Sequence, residues 1–329
     1  MGTLAALAAN APVQAVDLPE LARAGVELSV WRLDLIDTAA PGNKRFKLEH
    51  NLRAARRQGH RRILSFGGAF SNHIHALALA GAAAGFETVG VIRGEAGAAC
   101  NPTLSDARRA GMMLHFVDRS WYRNRDSLEA HAELRARFGP CYIIPEGGAN
   151  ALGALGCRVL GEVIRAWPQP PHVVALACGT GCTLAGLVAG LDGRCAALGL
   201  AVLKGGRFLE DAVRAQLRDL QAPAAENWRI DLRHHGGGYA RLSLELARFI
   251  EDFQRRTRIP LEPVYTGKLL HGLWRGITAG EFARGTRLLA VHSGGLQGAR
   301  GFAGQYGANP GEGAAQAFPS PDLWSNGSR

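Results

Sequence analysis

The chain is poor in lysine. Its 38 basic residues include only four lysines, Lys44, Lys47, Lys204 and Lys268, and the rest are arginines. The net charge of +10 invites a polyanion partner. The densest basic cluster is Arg53, Arg56, Arg57, His60, Arg61 and Arg62. It has neither the interleaved aromatics nor the recognition motif of a nucleic-acid reader, so a solvated helix face is expected there. No apolar run reaches the roughly 18–20 residues that span a bilayer. Residues 1–17 also lack the basic start and long apolar stretch of a signal peptide. The six cysteines (Cys100, Cys141, Cys157, Cys178, Cys182, Cys195) show no disulfide framework. Cys178 and Cys182 lie in a glycine-rich loop without a nearby His pair, which argues against zinc. These absences exclude a membrane span and a stapled scaffold, and leave a cytoplasmic protein as the expectation.

Hydrophobic residues make up 47% and charged residues 20% of the 329 residues, enough to bury a large α/β core. Between about Lys47 and Gly193, short apolar runs alternate with helix-compatible stretches. Strands are predicted at Arg62–Phe66, Thr88–Ile92, Met113–Val117, Tyr142–Ile144 and Val173–Leu176. Helices are predicted from about Asn72 to Gly85 and from Leu184 to Leu191. Strands separated by helices pair in parallel through right-handed crossovers, which predicts a doubly wound α/β architecture. Ligands in such sheets sit at the carboxyl ends of strands. Beyond about Ala303 the chain is rich in Gly, Ser and Pro, and residues 303–329 are expected to be a disordered tail.

Four segments fall at such strand ends or beside a lysine. Cys178-Gly179-Thr180-Gly181-Cys182-Thr183 follows an apolar strand and opens a helix. Glycines let backbone N–H groups approach an anion, so this is either a phosphate cup or a tight strand–helix turn. It has no Lys-Ser/Thr after the second glycine and is not a Walker loop. Gly67-Gly68-Ala69-Phe70-Ser71-Asn72-His73 has the same grammar, with Ser71 or Asn72 either capping the helix or receiving a carboxylate. Gly147-Gly148-Ala149-Asn150 repeats it. Gly42-Asn43-Lys44-Arg45-Phe46-Lys47 is unremarkable alone.

Together these segments, with Pro145-Glu146, Pro263-Val264-Tyr265-Thr266-Gly267-Lys268 and His292-Ser293-Gly294-Gly295-Leu296, occur in a recognisable order. From about Val16 to Gly301 the chain resembles the pyridoxal-phosphate (PLP) family that contains D-cysteine desulfhydrase and 1-aminocyclopropane-1-carboxylate (ACC) deaminase. The resemblance implies the tryptophan-synthase-β-like PLP fold (fold type II), two doubly wound α/β domains with the cofactor between them. Residues 1–50 and 156–302 would form the large domain, and 51–155 the small inserted one. A homodimer is also implied.

The resemblance further implies roles. Lys44 would carry PLP as a Schiff base, and Asn72 would contact the cofactor's phenolic oxygen. Gly179, Thr180, Gly181, Cys182 and Thr183 would bind its phosphate, and Ser293 would face its pyridine nitrogen. Ser71, Asn72, His73 and Thr266 would receive the substrate, a small amino acid. Tyr265 and Tyr239 would flank it, with Ser71 among the catalytic groups.

Two reactions compete. D-cysteine offers a Cα proton and a thiol leaving group, giving pyruvate, ammonia and hydrogen sulfide by α,β-elimination. ACC has no Cα proton and needs its ring opened by a stronger electron sink. In the family, ACC deaminases carry Glu and Leu where this chain has Thr266 and Ser293, whereas desulfhydrases carry hydroxyl residues at both. D-cysteine is therefore the expected substrate; ACC deamination to 2-oxobutyrate, or PLP binding without catalysis, are the alternatives. The run Gly295-Leu296-Gln297-Gly298 departs from the Gly-Val/Ala-Pro-Ala of characterised members.

Overall fold

The computed structural model describes residues 3–36, 38–95, 101–222 and 226–302. The tail expected after residue 302 and Cys100 lie outside them. In chain order the elements begin α1 (Leu4–Ala9), β1 (Val13–Val16), α2 (Pro19–Ala24), β2 (Glu27–Arg32) and α3 (Asn43–Arg57). Next come β3 (Arg62–Gly68), α4 (Asn72–Ala83), β4 (Glu87–Arg93), α5 (Pro102–Arg109), β5 (Met113–Val117), α6 (Arg119–Arg123), α7 (Leu128–Phe138) and β6 (Tyr142–Ile144). The chain continues with α8 (Ala151–Arg165), β7 (Val173–Cys178), α9 (Cys182–Leu191), β8 (Ala196–Ala201), α10 (Phe208–Asp219) and β9 (Trp228–Asp231). It closes with α11 (Leu244–Thr257), α12 (Thr266–Thr278), β10 (Arg287–His292) and a 3-10 segment, Leu296–Phe302.

The strands form two sheets. One has six strands in the order β1-β2-β10-β7-β8-β9, and the other has four in the order β5-β4-β3-β6. All pairings are parallel except β1 with β2, an antiparallel edge that the strand–helix alternation does not foretell. The four-strand sheet is inserted between β2 and β7, with α3 leading into it and α8 leading back.

Both sheets are covered on two faces, and the period-2 alternation of side chains divides each strand between two cores. In β7, Val174, Leu176 and Cys178 face the core that contains Trp31, Leu160 and Leu184. Ala175 and Ala177 face the core that contains Ile250, Phe253 and Leu269. In β3, Ile63 points toward α4 and α5, and Leu64 and Phe66 toward α7.

Glycine brings α3, α8 and α9 into backbone contact. A Cβ on Gly156 would lie 1.9 Å from the Phe46 carbonyl oxygen, and one on Gly190 would lie 2.0 Å from that of Arg158. No side chain fits between these helices, so α3 is seated directly against α8. An alanine at position 156 must push α3 away, and α3 carries Lys44. Gly156→Ala is expected to lower stability by roughly 1–3 kcal/mol or more, read by urea denaturation. An unchanged unfolding midpoint would show that the helices can separate at little cost.

Candidate active site

Parallel pairing puts the carboxyl ends of β3, β6, β7 and β10 at loops 69–71, 145–150, 179–181 and 293–295. The sequence motifs occupy these loops, and the geometry joins them around the start of α3.

Lys44 is the second residue of α3, after Gly42 (φ 91°) and Asn43. The Asn43 N–H donates to the Ser293 carbonyl oxygen at 3.1 Å. A Cβ on Gly42 would sit 2.3 Å from that same oxygen, so only glycine allows the approach. The Asn43 side chain, itself buried, donates to Thr183 Oγ1 at 2.9 Å. The residues flanking Lys44 thus hold both the end of β10 and the start of α9. Burial brings the Lys44 amine down to about 7, and the nearby Lys47 ammonium acts in the same direction.

The glycine loop is built to leave donors open. Gly181 takes φ 77° as the N-cap of α9, and no side chain caps that helix. First-turn N–H groups have no partner within a helix, so those of α9 point into the loop. Lys47, one turn along from Lys44, is 3% exposed. Its Nζ donates to the Gly147 carbonyl at 3.0 Å and to Thr180 Oγ1 at 3.4 Å. The Cys182 thiol donates to the Gly148 carbonyl at 3.4 Å. A second buried lysine beside the loop is therefore part of the candidate site. Its signal in the sequence is the i, i+3 spacing that puts Lys44 and Lys47 on one face of α3.

The Tyr265 and Tyr239 hydroxyls lie 3.2 Å apart, with the rings in a T-shaped arrangement. A Cβ on Gly179 would lie 3.3 Å from the Tyr265 ring, so this pair borders the glycine loop. Burial pushes the Tyr265 hydroxyl well above its ordinary range, and the Tyr239 hydroxyl adds to the effect. Tyr265 is thus a neutral donor at physiological pH. Behind it is Glu262, 0% exposed, a residue without a role in the sequence reading. Its carboxylate accepts the N–H groups of Val264, Tyr265 and Thr266 at 2.7–2.8 Å, at the start of α12. Burial raises its pKa and the three donors oppose that rise. Lys268, on the first turn of α12, is 1% exposed and donates to the Val202 and Gly238 carbonyls at 3.1 and 2.6 Å. It ties the Tyr239 loop to the end of β8, and burial brings its amine down to about 8.

The remaining expected residues divide. Ser71 caps α4, its Oγ accepting the Ile74 N–H at 3.3 Å. Asn72 opens that helix, its Oδ1 accepting from Gln297 Nε2 at 2.8 Å. His73 and Thr266 have side chains engaged inward. His73 Nε2 meets Ser65 Oγ at 2.9 Å, and burial holds its imidazole well below the usual range. The Thr266 hydroxyl lies between the Glu262 N–H (3.0 Å) and carboxylate (3.2 Å). Ser293 is fixed from its neighbours. His292 Nε2 donates to the Pro260 carbonyl at 2.8 Å, and Nδ1 lies 3.1 Å from the buried Asp34 carboxylate.

An amine of lowered pKa beside an uncapped, glycine-lined helix start is the donor set an aldehyde with a phosphate arm requires. The chain matches the family described as "Pyridoxal-phosphate dependent enzyme" over residues 7–294. It belongs to that family.

This PLP-dependent enzyme is 31% identical over 293 residues to a protein of Pyrococcus horikoshii named "Putative 1-aminocyclopropane-1-carboxylate deaminase", covering 85% of this chain and 88% of that one. It is 28% identical over 309 residues to the "Bifunctional D-cysteine desulfhydrase/1-aminocyclopropane-1-carboxylate deaminase, mitochondrial" of Arabidopsis thaliana, covering 87% and 76%. A solved "ACC deaminase homologue" superposes with a TM-score of 0.78 at 25% identity, covering 97% of this chain and all of that one. The fold is thus the type II PLP fold. Among the described residues no helix is long and apolar enough to cross a membrane, and no cluster of His, Cys, Asp or Glu could hold a metal.

Two outcomes follow. In the protein without cofactor, the Lys44 amine is neutral, and so nucleophilic, once pH rises through about 7. Reductive labelling by a small aldehyde should therefore modify Lys44 with a midpoint near that pH, read by peptide mass spectrometry; a midpoint near 10 would refute its lowered basicity. Replacing Glu262 by Ala leaves three buried N–H groups without an acceptor. It should lower stability by roughly 1–3 kcal/mol and more than Glu262→Gln does, by urea denaturation.

Proposed function

We propose that the enzyme eliminates the β-substituent of a small amino acid, with D-cysteine as the substrate, giving pyruvate, ammonia and hydrogen sulfide. The observation that carries this reading is that Glu262, the buried carboxylate acting on the Lys44 amine, is not free to serve as an acidic partner. Glu262 is already engaged by three N–H groups, and the motif positions are filled by Thr266 and Ser293, which are hydroxyl residues. A hydroxyl facing the pyridine nitrogen makes a weaker electron sink than an acid does. Such a sink is sufficient where a Cα proton can be removed and thiolate expelled.

Bound PLP would supply that sink, withdrawing the electron pair left at Cα. Lys44 would hold the cofactor, and the α9 start with Thr180 and Thr183 would take the phosphate. Ser71 and the first-turn N–H groups of α4 would receive the substrate carboxylate. The Lys44 amine, freed when substrate takes its place, accepts the Cα proton. The C–S bond breaks with its electron pair leaving on sulfur. The released 2-aminoacrylate takes up water and yields pyruvate and ammonia. Tyr265, held neutral and paired with Tyr239, would donate to the departing sulfur. The two sheets would act as large and small domains around this cleft, with α3 and α8 crossing between them. A cytoplasmic homodimer belongs to the same proposal.

ACC deamination is the second reading, favoured by the name of the Pyrococcus relative. It would use the same lysine, with proton removal at a ring carbon.

The test is the visible spectrum of the purified protein with added PLP, beside Lys44→Ala, followed by assays with D-cysteine and ACC. The expected result is a Lys44-dependent band, with pyruvate and sulfide formed from D-cysteine faster than 2-oxobutyrate from ACC. The reverse order of rates would make the second reading the correct one, and absence of any band would refute both.

A further inference from the structure

The 3-10 segment Leu296–Phe302 leaves the end of β10 and grips the four-strand half of the molecule at three places. Arg300 pairs with Asp106 of α5, whose carboxylate also lies 3.4 Å from His75 Nε2. Gly301 lies against the Phe70 ring, which a Cβ there would approach to 2.7 Å. Between them Gln297 Nε2 donates to Asn72 Oδ1 at 2.8 Å. Asn72 is further confined by two glycines. A Cβ on Gly295 (φ 86°) would sit 2.2 Å from its Nδ2, and one on Gly298 would sit 3.3 Å from its Oδ1.

A carboxamide has one acceptor end and one donor end, and rotation of its terminal bond exchanges them. Gln297 turns its amino group toward Asn72 and occupies the acceptor end of that carboxamide. In this pairing the Asn72 NH2 is on the side away from Gln297, and a residue that could only accept would draw it back. We propose that Gln297 is a positioning residue that fixes the Asn72 carboxamide with its NH2 toward the phenolic oxygen of PLP. This rests on the cofactor reading above, in which Asn72 meets that oxygen.

A donor to the phenolic oxygen stabilises its anionic form and so lowers the pH at which the neighbouring lysine-linked nitrogen loses its proton. The experiment compares wild type, Gln297→Leu, Gln297→Glu and Arg300→Ala in PLP affinity, thermal midpoint and the pH titration of the visible band. Gln297→Glu can only accept and should turn the Asn72 NH2 away from the cofactor. Its band should titrate about one pH unit higher, with PLP affinity weakened about tenfold. Gln297→Leu should shift in the same direction by less. Arg300→Ala loosens the same segment without touching Asn72 and should titrate as wild type does. Equal titration in all four proteins would overturn the inference while leaving the cofactor reading intact. So would an Arg300→Ala shift as large as that of Gln297→Glu, or a lowered thermal midpoint in the Gln297 variants with no change in titration. A wild-type protein that takes up no PLP would overturn the cofactor reading, and the inference with it.

Discussion

Everything at the Lys44 site depends on one close approach between two backbones, Gly42 against Ser293. A carbonyl oxygen occupies the volume that a side chain at position 42 would need, and the adjoining N–H donates to that same oxygen. Two chain segments 251 positions apart are thereby joined just before Lys44. Were residue 42 larger, α3 would start elsewhere and Lys44 would leave the glycine loop. The left-handed φ of Gly42 and the buried network of Asp34, His292 and Pro260 serve this contact from its two sides. The burial that lowers the amine's basicity is the same burial that requires these partners to be satisfied.

A second level of constraint comes from helices without side chains at their crossing points. α3, α8 and α9 touch through glycines, so their separation is set by backbone atoms, which cannot rotate aside. Two of these helices also cross between the sheets. The lysine and the open helix start are therefore held at a separation set by backbone contact, while Ser71 and Asn72 stand on the other sheet's helix. Leu296–Phe302 then links the two halves from outside.

The inserted sheet was the more legible half. Its strands are short apolar runs bounded by Gly, Arg or Pro, and β3 to β6 fall within two residues of where those runs predict them. The larger sheet hid more. β8 reads Ala-Ala-Leu-Gly-Leu-Ala, a composition that suits a helix, and only its neighbours β7 and β9 make it a strand. β1 is four residues long and half exposed, and β9 is equally short. At the site, glycine-rich loops were readable because glycine has few other reasons to cluster at strand ends. Lys47 and Glu262 were not, because what distinguishes them is burial, and a charged residue looks the same in sequence whether solvated or enclosed. The inward engagement of Thr266 and His73 was hidden for the same reason: a hydroxyl or imidazole in a motif does not reveal which way it faces.

The scarcity of lysine has a chemical consequence for a protein that handles an aldehyde. Any neutral primary amine condenses with a carbonyl, whereas a guanidinium does not. Of the four lysines, Lys47 and Lys268 are enclosed and bonded to carbonyl or hydroxyl oxygens, and only Lys204 is exposed. The arginine-rich exterior thus keeps the positive charge while offering an aldehyde almost nothing to react with. The composition of the whole surface limits competing amines as much as the burial of Lys47 and Lys268 does.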